Sequence, residues 1–208
     1  MKKFFVSSLL LIEALAHAAS YIEVRSGLCN PAEAGMYRYR NTSVLACEYG
    51  RVFWQEFRFG IQLGYNQFDC SNAGKLLAGG HPMNLGNVKC RTYAYSLFLN
   101  LYYDCDLPGR WKGFIGLGLG GMRIRLFSHT LDGGDDYFNS EAKFVFACQL
   151  ITGVAYRIND TWSLVADYRC QKIENFGMKT KDALDVERFP TVHTPLLHCF
   201  EIGLRYTF

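Results

Sequence analysis

The last ten residues, 199–208 with the sequence CFEIGLRYTF, decide the fold of this chain. Every second residue counted back from the end is large and apolar: Phe208, Tyr206, Leu204, Ile202 and Phe200. The residues between them are small, polar or charged. This alternation predicts a β-strand whose two faces meet different surroundings. Because about 9–11 residues suffice for a tilted strand to cross a hydrocarbon layer, the segment predicts a transmembrane strand.

The composition of the whole chain favours strands over membrane helices. The 208 residues are 50% hydrophobic, and the mean hydropathy is −0.02. No run of 18 apolar residues occurs, which argues against a helical span. Sixteen Phe, 13 Tyr and 20 Gly residues favour β structure with many turns. The net charge of +3 gives no reason to expect a nucleic-acid partner.

Residues 1–18 have the pattern of a cleavable signal peptide. Lys2 and Lys3 form a basic start, residues 4–15 are mostly apolar, and residues 16–18 (AHA) fit a small-residue cleavage site. Glu13 is unusual within the apolar run, and a short amphipathic helix of the mature protein is the alternative. We therefore expect an exported chain with a signal peptide at 1–18 and one barrel domain at 19–208.

The rest of the chain divides into eight segments with strand patterning. Their approximate ranges are 21–28, 44–53, 57–66, 92–104, 111–127, 141–158, 162–171 and 199–208. Long and short connections alternate between them, as in barrels with short turns at one end and long loops at the other. At residues 122–125 the alternation changes phase, which predicts a β-bulge. The fold prediction is an all-β, eight-stranded antiparallel up-and-down transmembrane β-barrel.

Volume decides which face of these strands points inward. An eight-stranded barrel is only just wide enough inside for side chains to fill it. The face that carries most of the Phe, Tyr and Trp residues is too bulky for that space, and forcing it inside would destabilise the fold by overpacking. A soluble sandwich with these aromatics in its core is the alternative. We predict that the large face meets lipid and that the interior is polar and salt-bridged.

The opposite face supplies charges of both signs for that interior. A buried charge without a partner would cost roughly 3–5 kcal/mol, so acids and bases should pair. The predicted interior network, which we treat as structural, consists of Glu23, Arg25, Glu56, Arg58, Asp104, Lys143, Arg157, Asp167, Arg169, Glu201 and Arg205.

Aromatic residues near the strand ends should form belts at the two membrane interfaces, where rings with a polar tip are favoured. The predicted members are Trp54, Tyr65, Tyr103, Trp111, Tyr156, Trp162, Tyr206 and Phe208.

Four segments resemble the small eight-stranded outer-membrane β-barrels of the OmpA, OmpX and opacity-protein type. They are residues 114–121 (FIGLGLGG), 153–158 (GVAYRI), 164–169 (LVADYR) and 201–208 (EIGLRYTF). The resemblance implies location in a bacterial outer membrane, contact with its lipid, and recognition of the terminal strand ending in Phe208 by the barrel-insertion machinery.

The eight cysteines depart from the usual members of that family. The enrichment resembles the disulfide-cross-linked envelopes of some obligate intracellular bacteria. Cys70 and Cys90 bracket the second long loop and are a possible disulfide that would close it, with a contribution of about 3 kcal/mol. Cys29, Cys170 and Cys199 fall near the outer rim, where they could pair within the barrel or between molecules. We predict no cofactor and no metal site.

One group of residues raises the alternative of a lipid-modifying hydrolase. Ser128, His129 and Glu141 flank the third long loop, and outer-membrane lipid A deacylases use a Ser, a His and an acid near the membrane surface. However, adjacent residues of a strand point to opposite faces, which opposes a Ser–His hydrogen bond. The acids Asp132, Asp135 and Asp136 lack the pattern of a calcium loop.

The sequence therefore predicts a non-enzymatic outer-membrane barrel with a structural and surface-exposed, adhesin-like role. Its loops would contact a host surface or another envelope protein. A small porin or ion-conducting barrel is the first alternative, because inward-facing glycines leave space, although eight strands leave little room for water. The lipid hydrolase is the second.

Overall fold

The structure is a computed structural model that describes residues 19–31, 37–39, 42–53, 56–73, 76–78, 81–83, 88–130, 138–139, 142–174, 176–177, 180–181, 187–188, 191–192 and 196–208. Side chains are described over 19–30, 43–53, 56–68, 91–125, 142–174 and 196–208. The predicted signal peptide at 1–18 lies outside the described residues.

Eight long strands make up most of the described chain. They are β1 (Ser20–Pro31), β2 (Thr42–Phe53), β3 (Phe57–Ala73), β4 (Val88–Asp106), β5 (Trp111–Thr130), β6 (Lys143–Arg157), β7 (Trp162–Ile173) and β8 (Leu197–Thr207). Strands of two or three residues accompany them at Tyr37–Tyr39, Leu76–Ala78, His81–Met83, Phe138–Asn139, Phe176–Gly177, Thr180–Lys181, Glu187–Arg188 and Thr191–Val192. Within the described ranges, no helix is long and apolar enough to cross a membrane.

The sheet closes on itself. Each long strand pairs antiparallel with the next, and β8 pairs with β1 from Tyr21–Thr207 to Pro31–Leu197. A closed sheet has no edge strand with unpaired backbone groups. A membrane-spanning structure requires this, because the hydrocarbon layer offers no hydrogen-bond partners. The prediction of an eight-stranded antiparallel up-and-down barrel is confirmed.

Short connections at one end and long ones at the other distinguish the two rims, which we call the turn end and the outer end. Residues 107–110 and 158–161 connect strands at the turn end. Gly109 adopts a φ of 80° there, which a residue with a side chain would adopt only with strain. In the other turn, the Asn159 side-chain oxygen accepts hydrogen bonds from the backbone N–H of Thr161 at 3.0 Å and of Trp162 at 2.7 Å.

The three longest strands extend beyond the ranges that the sequence pattern predicts. β3, β4 and β5 contain 17, 19 and 20 residues, and the β3–β4 ladder continues to Ser71–Lys89. A crossing needs only about 9–11 residues. The wall therefore extends past the apolar band at the outer end, and the first and last parts of the predicted loop at 69–89 continue the two strands instead.

The two faces of the wall differ as predicted. Lipid-facing side chains such as Leu117, Ile202 and Phe200 are 65%, 64% and 63% exposed, whereas Glu48 and Arg169 on the inner face are both 0% exposed. Because the exposed set is aliphatic and aromatic over the whole circumference, its natural surroundings are acyl chains rather than water. The prediction of a large outer face and a polar, salt-bridged interior is confirmed.

The bulge predicted at residues 122–125 is wrong. The ladders of β5 with β4 and with β6 run through this segment without a register shift. Met122 and Ile124 point inward and are buried, whereas Arg123 and Arg125 point outward and are exposed. The alternation is unbroken, and what changes is the residue type on each face of β5: apolar side chains enter the outer interior cluster, and arginines take the outward positions.

Two apolar clusters lie inside the barrel, on either side of the polar layer. The cluster nearer the outer end contains Cys29, Phe68, Ala94, Phe98, Met122, Ile124, Val145, Ala147, Ile173, Leu197 and Cys199. The cluster nearer the turn end contains Tyr102, Phe114, Ile151, Ala155 and Val165.

Candidate functional site in the barrel interior

Glu48 is the central acceptor of the polar layer. Its Oε1 accepts a hydrogen bond from the Tyr21 hydroxyl at 2.6 Å, and its Oε2 accepts from the Tyr102 hydroxyl at 2.7 Å and from Asn100 Nδ2 at 2.8 Å. Arg25 Nη2 donates to the same Oε2 at 3.2 Å. A fully buried carboxylate is stable only with such a complete set of partners.

Arg25 gathers four carboxylates around one guanidinium. Besides Glu48, it forms an ion pair with Glu23, donates from Nε to Glu201 Oε2 at 3.1 Å, and lies 3.6 Å from Asp167 Oδ2. The partners come from β1, β2, β7 and β8, so this one side chain cross-links the part of the barrel that contains the closing seam. Removing such a charge would leave several buried acids without compensation.

Arg169 joins the acids to a row of amides. Its guanidinium donates to Asp167 at 2.9 and 3.2 Å and, through Nη1, to the Gln62 side chain. Four amide–amide hydrogen bonds continue the row from β3 across β4, β6 and β7: Asn100 donates to Gln62 at 3.0 Å, Gln149 donates to Gln62 at 3.1 Å and to Asn100 at 2.7 Å, and Gln171 donates to Gln149 at 3.0 Å.

Arg58 and Arg205 lie between the polar layer and the turn end. Arg58 Nε donates to Asp104 Oδ2 at 2.7 Å, and Arg205 Nε donates to Glu23 Oε2 at 2.5 Å. The Arg58 guanidinium carbon lies 4.4 Å from the centre of the Tyr102 ring, a cation–π contact.

The structure brings eight of the eleven predicted network residues together inside the barrel: Glu23, Arg25, Arg58, Asp104, Asp167, Arg169, Glu201 and Arg205. The other three lie at the rims. Glu56 is exposed in the turn before β3, Arg157 is exposed as the last residue of β6, and Lys143 is half-buried as the first residue of β6. All three lie at positions that alternate in step with the inward-facing residues of their strands. Because they lie at strand ends, which are in contact with water, their charges need no buried partner.

Sequence reasoning missed Glu48, together with the amides and tyrosines that surround it. A signal was present, since Glu48 lies between Ala46 and Gly50 on one face of β2, opposite Leu45, Cys47 and Tyr49. With Glu48 included, five interior acids face four interior bases in the described chain.

One disulfide joins the ends of the sheet, between Cys29 of β1 and Cys199 of β8, which are cross-strand partners. The backbones of Cys70 and Cys90 are likewise opposite each other in the β3–β4 ladder, but their side chains lie outside the described residues. Four cysteines of the described chain carry free thiols: Cys47, Cys105, Cys148 and Cys170. Of the three that we placed near the outer rim, two are bonded and Cys170 is not.

The hydrolase candidates Ser128, His129 and Glu141 have side chains outside the described residues. The acids at 132, 135 and 136 lie outside them as well. The backbone of Ser128 continues β5 opposite Cys90.

Aromatic pairs mark both limits of the apolar band. At the turn end, the ring centres of Trp111 and Tyr156 and those of Trp162 and Tyr206 are both 4.9 Å apart. Toward the outer end, the ring centres of Tyr65 and Tyr95 are 5.2 Å apart. Tyr95 and Tyr103 are eight positions apart on β4, roughly 27 Å along the strand. At a strand tilt of about 40° this is about 21 Å along the barrel axis, close to the apolar band of about 25 Å in outer-membrane barrels. Trp54 lies outside the described residues.

No family model and no curated protein matches this sequence. Solved structures do match its fold. Neisserial surface protein A matches with a TM-score of 0.58 and 17% identity, over 91% of this chain and 97% of that one. A major outer membrane protein of Thermus thermophilus matches with a TM-score of 0.61 and 15% identity, over 91% and 100%.

A third match is Ail, the attachment invasion locus protein of Yersinia pestis, in a complex with the heparin analogue sucrose octasulfate. Its TM-score is 0.51 and its identity 13%, over 92% of this chain and 99% of that one. Identities this low establish the fold alone. Together with the closed sheet, the apolar outer band and the charged interior, they show that this chain has the fold of the small eight-stranded outer-membrane β-barrels.

Proposed function

We propose that this protein is a non-conducting, non-enzymatic barrel of a bacterial outer membrane, which anchors its long outer connections and presents them for structural and adhesin-like contacts. The observation that carries this proposal is the filled interior. The apolar cluster that contains Phe98 and Met122 lies above the polar layer around Arg25 and Arg169, and all four side chains are buried at 0–2% exposure.

Side chains also occupy the space beside the inward-facing glycines, which was the reason to consider a pore. A Cβ added to Gly60 would lie 2.5 Å from Glu48 Oε1, and one added to Gly118 would lie 2.2 Å from Asn100 Oδ1. The glycines therefore make room for the network. This supports the anchoring role over the porin alternative, since water would have to displace paired charges.

The surface partner that we propose is anionic, on a host cell or on another envelope protein. Arg123 and Arg125 are exposed on the outer part of the wall, where Arg123 lies opposite Tyr95 of the outer aromatic pair. Ail, which shares the fold, was crystallised with a sulfated sugar. We carry this chemistry over as a proposal for the class of partner, because cations held outside the membrane attract such polymers from a distance.

Assembly is proposed to depend on β8. This strand supplies both the last lipid-facing residues and the partner of β1, so the barrel cannot close before β8 is in place. Recognition of the terminus at Phe208 by the insertion machinery would deliver that strand last.

Planar-bilayer recordings of the refolded mature chain test the central claim. We expect no reproducible unitary conductance, and steady channels of constant size would instead establish the small-pore function. Binding to immobilised heparin and to host cells tests the contact role. The double variant Arg123→Gln/Arg125→Gln should bind less, while Arg157→Gln, which removes an exposed cation at the turn end, should bind as the wild type does.

A further inference from the structure

A pocket of about 230 Å³ opens at the turn end of the barrel, next to the part of the interior network formed by Arg58, Asp104 and Arg205. Five cationic side chains line it, from β3, β5, β6, β8 and the turn before β5: Arg58, Arg110, Lys112, Arg157 and Arg205. Asp104 and Asp160 are the acids of the lining. A pocket with this excess of cations is more basic than its surroundings and would concentrate anions.

Two guanidinium nitrogens in this lining are buried and have no hydrogen-bond partner, namely Nη2 of Arg58 and Nη2 of Arg205. The residues themselves are 2% and 7% exposed. In each case Nε is committed to an acid, Asp104 or Glu23, which fixes the plane of the group. An unsatisfied donor at such depth is costly, and more so when it is charged, so an acceptor that enters the pocket would be favoured.

Three of the five cations of the lining also have an acid as ion-pair partner. Asp104 pairs with Arg58, Glu23 with Arg205, and Asp106 with Lys112, the last at 3.2 Å. Asp160 is then the remaining lining acid beside the two rim arginines, Arg110 and Arg157. In the lining itself, five cations face two acids, which favours an anionic ligand over a neutral or cationic one.

We propose that this pocket binds a small oxyanion that carries a phosphate or a carboxylate group. The free Nη2 groups of Arg58 and Arg205 donate to its oxygens, and Arg110 and Arg157 provide the attracting field at the mouth. Guanidinium groups held in a fixed plane suit the oxygens of such anions better than ammonium groups do. The ligand enters from the turn end, since the polar layer and the outer apolar cluster close the other side.

The test is a titration of the folded mature barrel in a non-ionic detergent. Sodium phosphate and sodium acetate are each added at ionic strength held constant with chloride, and the side-chain N–H resonances of Arg58 and Arg205 are followed by NMR. We expect saturable shifts of both resonances with at least one anion. Tighter binding of phosphate assigns a phosphate ligand, and equal or tighter binding of acetate assigns a carboxylate. Shifts that chloride alone reproduces, or that never saturate, would overturn the site.

Variants separate the pocket from general charge effects. Arg205→Lys keeps the charge but removes the guanidinium, both the Nη2 donor and the Nε that pairs with Glu23. We expect about tenfold weaker binding, the loss of one charge-assisted contact to the anion. Should that variant fail to fold, Arg157→Gln at the exposed rim serves instead, with a several-fold loss expected. Arg123→Gln, at the opposite end of the barrel, is the matched control and should bind normally. Unchanged affinity in the pocket variants, or an equal loss in the control, contradicts the proposal.

Discussion

Cys29 and Cys199 face each other across the seam between the first and last strands, and a disulfide joins them. The two residues are 170 positions apart in the chain. The bond therefore adds a covalent link between β1 and β8, which the hydrogen bonds of their ladder would otherwise hold together alone. It also lies within the apolar cluster near the outer end, where both cysteines are 0% exposed.

Replacing this pair should weaken the barrel substantially. In the chain-entropy model, a bond that closes a loop of this length restricts the unfolded state by about 5 kcal/mol. We expect Cys29→Ser/Cys199→Ser to lower the free energy of unfolding by up to that amount, measured by urea titration in detergent micelles. Cys47→Ser, at a free thiol on the lipid face, is the control and should change little. Equal midpoints for the two variants would show that the seam bond is dispensable.

We expect Glu48 to contribute far more to stability than Glu56, the next acidic residue along the chain. Glu48→Ala would leave Arg25 with one fewer carboxylate and would deprive the Tyr21 and Tyr102 hydroxyls of their acceptor. Truncating one member of such a buried network typically costs about 3–5 kcal/mol. Glu56→Ala, in an exposed turn, should stay within about 0.5 kcal/mol of the wild type. Denaturant titrations of both variants give the comparison, and a similar loss in each would refute the layered interior.

The strand phase could be read from the sequence, whereas the ends of the strands could not. Alternation assigns Glu56, Arg58 and Arg157 to one face, and the structure keeps that phase. Only Arg58 is inside, because whether an inward residue is buried depends on its height along the barrel axis. That height depends on the stagger between neighbouring strands, which a single sequence does not specify.

Residues 122–125 show a second limit of the same kind. A change from apolar-out to apolar-in can arise from a bulge or from a change of surroundings, and both give the same sequence pattern. Here the strand leaves the apolar band, so Arg123 turns toward an aqueous region while Met122 packs in the interior. Glu48 was missed for a simpler reason, since the inner face of β2 contains Val44 and Val52 beside this single charge, which weakens the contrast between the two faces.

The turn-end belt should lie at a membrane interface, where amphipathic rings are favoured. The chain contains three tryptophans, so a Trp54→Phe variant reports on Trp111 and Trp162 alone. In vesicles with brominated lipids, we expect stronger quenching of their fluorescence by bromines near the headgroups than by bromines near the bilayer centre. If bromines near the bilayer centre quench most strongly, the turn-end belt does not lie at a membrane interface.

Because the apolar face points outward to lipid, a charge placed on it should destabilise the fold, whereas the same charge on the surface of a water-soluble protein would be tolerated. Leu117 lies midway along β5 between Trp111 of the interfacial belt and the exposed Arg123, and it is 65% exposed. In water, Leu117→Arg at so exposed a position would be nearly neutral, within about 0.5 kcal/mol. At the middle of a bilayer it should cost about 2–4 kcal/mol, because a guanidinium there must leave water. Leu107→Arg, in an exposed turn outside the apolar band, carries the same chemical change and should be close to neutral. Folding free energies of the two variants in lipid vesicles decide between these cases, and equal, small effects would mean that the Leu117 face is not in contact with lipid.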